Sequence, residues 1–293
     1  MKNILITGSK GQLGSELQRL FSAFSEFTFF PTDIDTLDLT NKQQIENYIN
    51  QADIHYIINC AAYTAVDKAE DDIENCYKVN REAVKNIAES ACGKAKVIHV
   101  STDYVFDGTN TYPYKESDAT NPQSVYGKSK KEGEEMLLSI CPESIIIRTS
   151  WLYSSFGNNF VKTMLRLAKE KSELNIVSDQ RGTPTYAADL AFAILSIISF
   201  SEKKNNYPAG IYHYSNEGDT SWFDFTRKIM EIAGIKSCQI NSIPTNAYPT
   251  KATRPMYSVL DKTKIKKTFS LTIPTWEESL KVCLNNLLLT ANS

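Results

Sequence analysis

Three features of the chain predict an α/β fold, a doubly wound parallel sheet with a smaller C-terminal substrate-binding lobe. The first is the alternation of short apolar runs with amphipathic segments from Lys2 to Tyr153, the rhythm of strands covered by helices on both faces. The second is Gly8-Ser-Lys-Gly11-Gln-Leu-Gly14, set between the first apolar run and the first helical pattern. Glycines there allow a tight turn and let the backbone approach a pyrophosphate seated on the helix N-terminus, which makes the fold Rossmann-type. The third is the loosening of the rhythm after Tyr153. It divides the chain into residues 1–153, a dinucleotide-binding unit carrying the catalytic motif, and residues 154–293, mostly a substrate-binding lobe interleaved with returns to the main sheet.

The elements follow in order. Lys2–Thr7 is a buried strand, and Leu13, Leu17, Leu20, Phe21 and Phe24 trace the helix after the glycines. The glycine spacing is G-x-x-G-x-x-G rather than the commoner G-x-G-x-x-G. Residues 28–33 form a second strand ending in Asp33, 19 residues after Gly14, where a carboxylate grips dinucleotide ribose hydroxyls; Asp35 competes for that place. Thr40-Asn-Lys-Gln43 reads as a capping box opening a helix toward Ala52. Tyr56–Cys60 is a third strand. The small residues Ala61 and Ala62, with Tyr63, lie at its end, either as a plain packing turn or as a place for a cofactor to pass close to the backbone. A crossover helix over 79–92 leads to the strand Lys96–Thr102, where Thr102 and Asp103 stand at a carboxyl end facing substrate. His99, inside that strand, reads as a satisfied core histidine. Further on, Ser144–Arg148 is a strand, Phe160–Glu170 a helix, 175–178 a short strand, Ala187–Phe200 a buried helix and 201–208 a polar loop. The strand 210–215 and capping-box helices at Ser221 and Thr275 complete the series.

The chemistry centres on Tyr126-Gly-Lys-Ser-Lys130. On a helix the phenol and the ammonium share a face, one turn apart. Free tyrosine titrates near ~10 and lysine near ~10.4. The expectation is that Lys130 stabilises the tyrosinate and lowers the pKa of Tyr126, making it a proton donor to a developing alkoxide. Taken alone, the motif also fits a surface turn with solvated lysines.

Composition narrows the class. Of 293 residues, 42% are hydrophobic and 23% charged, an ordinary soluble balance. A net charge of −2 without a basic stripe does not suggest an electrostatic nucleic-acid binder. Six scattered cysteines without a C-x-x-C pair argue against structural zinc and disulfides and fit a reducing cytoplasm. No G-x-S-x-G frames a hydrolase nucleophile, no secretory signal opens the chain, and the longest apolar stretch, Ala187–Phe200, is too short to span a bilayer.

Together, Gly8, Gly11 and Gly14, the strand-end Thr102, and Tyr126 with Lys130 resemble the extended short-chain dehydrogenases/reductases. More narrowly, the blocks 59–70, 101–108, 125–130, 148–151, 157–160, 182–185 and Arg254-Pro255 are similar to the dTDP-4-dehydrorhamnose reductase family, from the N-terminus to about Trp276. The resemblance implies a cytoplasmic NADPH- or NADH-dependent enzyme of dTDP-rhamnose synthesis, supplying cell-surface polysaccharide. It would reduce the C4 keto group of dTDP-4-dehydro-L-rhamnose, a small nucleotide-sugar substrate. By position, Tyr126 is the proton donor, Lys130 tunes it and holds the nicotinamide ribose, Thr102 and Asp103 contact the sugar, and Trp151 lines the sugar pocket. Gly11, Gln12 and Leu13 meet the pyrophosphate, Asp33 the ribose, Asp38 and Leu39 the adenine, and Ala61, Ala62 and Tyr63 the inner face of the cofactor. Arg254 is assigned to the nucleotide diphosphate because a guanidinium forks onto phosphate oxygens, with a structural loop arginine as the alternative.

Some members of that family bind Mg2+ between subunits through three glutamates. Here Glu16 matches the first, Ala188 stands at the second with Asp189 beside it pointing elsewhere, and the terminal Leu289–Ser293 offers no third. No metal is therefore assigned, and the expected state is a monomer or weak homodimer, with no nucleic-acid or membrane partner. Two rivals share the fold. A dehydratase or epimerase is disfavoured because Thr102-Asp103-Tyr104 lacks the Thr-Asp-Glu of dehydratases. A regulatory homologue, like the regulatory subunit of methionine adenosyltransferase, is disfavoured by the intact Thr102, Tyr126 and Lys130.

Overall fold

The computed structural model describes the backbone through Ala291 and the side chains through Leu287. The first half runs β1 (Lys2–Thr7), α1 (Gln12–Arg19), β2 (Phe27–Pro31), α2 (Lys42–Gln51), β3 (Ile54–Asn59), α3 (Val66–Ala69), α4 (Ile73–Tyr77), α5 (Ala83–Ala91), β4 (Lys96–Thr102), α6 (Val125–Ile140) and β5 (Ile145–Thr149). The rest runs β6 (Leu152–Tyr153), α7 (Phe160–Glu170), β7 (Glu173–Val177), β8 (Arg181–Gly182), β9 (Thr185–Tyr186), α8 (Ala187–Lys204), β10 (Gly210–His213), β11 (Thr220–Ser221), α9 (Trp222–Ala233), β12 (Gln239–Ile243), α10 (Thr263–Phe269) and α11 (Trp276–Ala291).

A six-stranded sheet of order β10-β5-β4-β3-β1-β2 organises the molecule. All of its pairings are parallel, as strands joined by crossover helices require. The winding reverses between β1 and β3, and a crevice for ligands opens beyond the carboxyl ends of strands at such a point. Alternation along the strands sends Ile4, Ile6, Ile58 and Ile98 toward α1 and α8. The intervening Leu5, Ile57, Val97 and Ile146 pack against α2, α5 and α6. At the carboxyl ends this second face turns polar. Thr7, Asn59, His99 and Arg148 are buried there, so each needs a partner in the interior.

Local chemistry explains most boundaries. Lys2–Thr7 and Lys96–Thr102 form as the sequence predicts. The second strand stops at Pro31, and Thr32 and Asp33 belong to the loop beyond it. The expected capping box at Thr40 is not the cap. Asn41 caps α2 by accepting from the Gln44 amide, because the Thr40 hydroxyl is spent on Asp38. The crossover helix is broken by a π-helical turn over Lys78–Glu82, which turns Asn80 inward. Helix α8 runs past Phe200 to Lys204, so the polar loop begins only at a left-handed Asn205.

The β10 strand returns to the main sheet beside β5. Helices α8 and α10 also pack on the main sheet, while Val161, Phe225, Ile229 and Leu280 join α7, α9 and α11 in a core of their own. Among the described residues, no helix is long and apolar enough to cross a membrane.

Candidate active site

The glycine turn forms at the end of β1. Gly8 has φ +64°, and a Cβ there would lie 2.7 Å from the Ala61 backbone nitrogen at the end of β3. Gly14 packs so closely that its Cβ would meet the Gly8 carbonyl at 2.4 Å. These two positions therefore exclude side chains for physical reasons and leave bare backbone at the switch point. Gly11 is the N-cap of α1, with Gln12 and Leu13 in its first turn, so free amides at this helix start face the crevice. Asp33 sits against this turn and accepts from the Lys10 amide at 2.9 Å. The competing Asp35 is instead paired with the Lys10 ammonium on the surface. Asp38 accepts from the amide and hydroxyl of Thr40, which hold its carboxyl below the ordinary range. Leu39 follows it, with its carbonyl accepting from Asn86. Beyond β3, the Tyr63 amide donates to Asn80 at 2.9 Å, so the π turn fixes the segment carrying Ala61 and Ala62.

Thr102, Asp103, Tyr126 and Lys130 come together at the end of β4. Ser124 caps α6 by accepting from the Gly127 amide. Gly127 lets that first turn lie against the Tyr104 carbonyl, where a Cβ would come within 2.3 Å. Thr102 caps the short turn after β4, and its hydroxyl donates to Asp103 at 3.1 Å. The same hydroxyl lies within hydrogen-bonding reach of the Tyr126 phenol. Asp103 is fully buried with Oδ2 unpartnered, and burial pushes its carboxyl up to about 6.

One expectation is corrected here. Tyr126 does not have a lowered pKa: burial raises it, the Thr102 hydroxyl opposes the rise, and the Asp103 charge adds to it. Burial dominates, and Lys130 is held elsewhere. Its ammonium nitrogen lies 2.7 Å from the Val100 carbonyl and 3.1 Å from His99 Nε2, and burial pushes it down to about 8. Tyr126 is thus a firmly protonated phenol.

Trp151 adopts a left-handed φ of +47° and stacks flat on Trp222, with ring centroids 3.5 Å apart. A Cβ at Gly182 would lie 2.6 Å from its indole. Arg254 is not a free guanidinium. It pairs with Asp67 and donates to the Tyr104 hydroxyl, which brings it beside the ring that meets Tyr126 edge-on at 5.5 Å. Sequence reasoning passed over Trp222, Asn80 and the Glu134–Arg148 pair. The only available signal was their spacing on helices and at strand ends.

Glu16 is buried against Ser154 and Arg19, and burial raises its carboxyl. Asp189 is occupied by Asn216 and Ser279. Among the described residues no cluster of three or more His, Cys, Asp or Glu could hold a metal. The third position proposed for the family's ligand set, at Leu289–Ser293, lies outside the described side chains.

A glycine turn at the switch point of a parallel sheet, opening toward a buried threonine, tyrosine and lysine, defines an extended short-chain dehydrogenase/reductase. Within that class, the chain belongs to the RmlD substrate binding domain family, which it matches over residues 1–289. It is 43% identical over 287 residues to a dTDP-4-dehydrorhamnose reductase of Aggregatibacter actinomycetemcomitans, covering 96% of this chain and 98% of that one. A dTDP-4-dehydrorhamnose reductase structure from Clostridium acetobutylicum superposes with a TM-score of 0.91 at 41% identity, covering 98% and 99% of the two chains. The Bacillus anthracis dTDP-4-dehydrorhamnose reductase in complex with NADP superposes at 0.90 with 38% identity, covering 98% and 100%.

Proposed function

We propose that this protein reduces the C4 keto group of dTDP-4-dehydro-L-rhamnose to give dTDP-L-rhamnose, using NADPH or NADH. The observation that carries the reading is the convergence of Thr102, Tyr126 and Lys130 on the end of β4, beside the bare backbone of Gly8, in a chain of this family. The division of labour is residues 1–153 for the dinucleotide and most of 154–293 for the sugar nucleotide.

The cradle fits a dinucleotide because the Gly8–Ala61 approach leaves no room for a Cβ. Gly8, Gly11, Gln12, Leu13 and Gly14 would hold its diphosphate and Asp33 a ribose, with Asp38 and Leu39 at the adenine and Ala61, Ala62 and Tyr63 along its inner side. When bound, the reduced nicotinamide supplies the hydride. The protein's own residues do the rest. Tyr126, kept protonated by burial, gives its proton to the oxygen that becomes the hydroxyl. Thr102 hydrogen-bonds the same region and steadies the phenol, and Lys130 would hold the nicotinamide ribose. Asp103 and Trp151 orient the sugar. Arg254 keeps the loop at Tyr104 in place and offers its remaining face to the diphosphate.

The test is loss of nicotinamide absorbance with dTDP-4-dehydro-L-rhamnose. Native protein turns it over, and Tyr126→Phe loses about 10²–10⁴-fold in kcat, the range general-acid removal costs. No turnover by native protein, or full turnover by Tyr126→Phe, defeats the reading.

A further inference from the structure

The polar layer behind the tyrosine fixes a protonation state. Asn59 and His99 are register partners on β3 and β4, so their side chains leave the same buried face. Asn59 Oδ1 faces two groups, the Thr7 hydroxyl at 2.7 Å and the Ala61 backbone N–H at 3.2 Å. A backbone N–H only donates, so the oxygen of the amide must stay on that side. Asn59 Nδ2 is then what meets His99 Nδ1, at 3.0 Å. Nδ2 also only donates, so Nδ1 must carry a lone pair and the single imidazole proton must sit on Nε2. That N–H points at Lys130 Nζ, 3.1 Å away. An ammonium has three N–H groups and no lone pair, and would oppose the imidazole N–H across this contact. A neutral amine satisfies it. Its lone pair accepts from Nε2–H while one of its own N–H groups donates to the Val100 carbonyl at 2.7 Å.

We propose that Asn59 and His99 are positioning residues for the reductase, which hold Lys130 as a neutral amine in the cofactor-free protein at mildly alkaline pH, so that cofactor binding there takes up solvent proton at Lys130. The inference rests on the reading that this cleft takes a nicotinamide dinucleotide. The arriving diphosphate brings negative charge and the ribose brings hydroxyl acceptors. Both favour an ammonium that has turned away from His99. The charged and titratable neighbours are consistent with this. Glu134 on α6 favours the ammonium, but its carboxylate is tied to Arg148 on β5 through both Nε and Nη2. The thiols of Cys60, beyond β3, and Cys76, on α4, are raised by burial and stay neutral, as does Tyr126 on α6. Burial independently lowers Lys130 and keeps His99 uncharged.

Two measurements test this, and neither uses the sugar substrate. In 15N-histidine NMR of the cofactor-free native protein, His99 should show its proton on Nε2; a proton on Nδ1 overturns the proposal. Calorimetric titration with NADPH at about pH 8.5, in two buffers of different ionisation enthalpy, should show uptake of roughly 0.5–0.8 proton per site. His99→Gln can turn its amide oxygen to the ammonium, so its uptake should fall to about a tenth of a proton or less. Native uptake near zero, or equal uptake in His99→Gln, overturns the proposal. If NADPH does not bind at all, the cofactor reading falls with it. If NADPH binds with uptake but the sugar is not reduced, only the substrate reading falls.

Discussion

Asp103 concentrates the cost of this site in one carboxyl. It is 2% exposed, its Oδ2 makes no well-formed hydrogen bond, and the Ser258 and Thr102 hydroxyls only partly oppose the effect of burial. Burial raises its folded value to about 6, above its value in the unfolded chain. A raised acid contributes stability that is complete below the unfolded value and is lost as pH rises through the folded one. At neutral pH the native fold therefore carries a penalty here. Its size is about 3 kcal/mol. Asp103→Asn removes the charge but leaves an amide N–H without an acceptor at the Oδ2 position, which returns about 1–2 kcal/mol. Thermal melts should therefore show the variant more stable than native protein at about pH 7, by roughly 1–2 kcal/mol, with the order reversed near about pH 4. A variant less stable at both values would mean that the carboxylate is satisfied in solution. If Asp103 orients the sugar as proposed, turnover should fall in the same variant.

At the level of elements, helix α6 delivers the chemistry. Tyr126, Lys130 and Glu134 lie four residues apart along one buried stripe, so the ion pair that Glu134 makes with Arg148 of β5 anchors the other two. Removing one partner leaves a buried charge uncompensated. Glu134→Ala should therefore cost about 3–5 kcal/mol in urea denaturation, while Lys131→Ala one turn away, which loses only an exposed pair with Glu135, should cost under about 1 kcal/mol. Equal losses would remove this anchoring role. The shared face of Tyr126 and Lys130 was legible in the sequence, because a helix fixes which side chains share a face, whereas Glu134 at the next turn was passed over. The glycine turn, the sheet strands and the Ser221 and Thr275 caps were legible for the same kind of local reason. What was not legible depends on contacts distant in sequence. The direction of the Tyr126 shift was not legible because motif spacing shows neither the burial of the phenol, which raises it, nor that Val100 and His99 hold the Lys130 nitrogen. Arg254 looked free because Asp67 and Tyr104 reach it only through the fold. Asn41 displaced Thr40 as a cap because Asp38 had already taken the threonine hydroxyl.

Across the whole molecule, the question is whether the later core moves with the sheet or apart from it. Helix α1 joins them. Its first residue, Gln12, accepts from Asn159, and Glu16 accepts from Ser154 at 2.6 Å, so the helix that starts at the glycine turn also holds the chain that leads into α7. Trp151, just after β5, stacks on Trp222 at the head of α9 and adds a second tie. Both ties flank the crevice, so a ligand there should stabilise both cores together. Reduced cofactor at about 100 times its Kd adds about 2.7 kcal/mol to the folded state. For a chain of this size that is a rise of roughly 4–5 °C in Tm. Calorimetry should show a single transition shifted by that amount in native protein. Gly8→Ala, whose Cβ would strike Ala61 in a left-handed turn, should show no shift at the same cofactor concentration. Two resolved transitions, with only one responding to cofactor, would mean that the Gln12, Glu16 and Trp151 contacts do not couple the cores, and the later lobe would then have to recognise its sugar nucleotide independently of the dinucleotide.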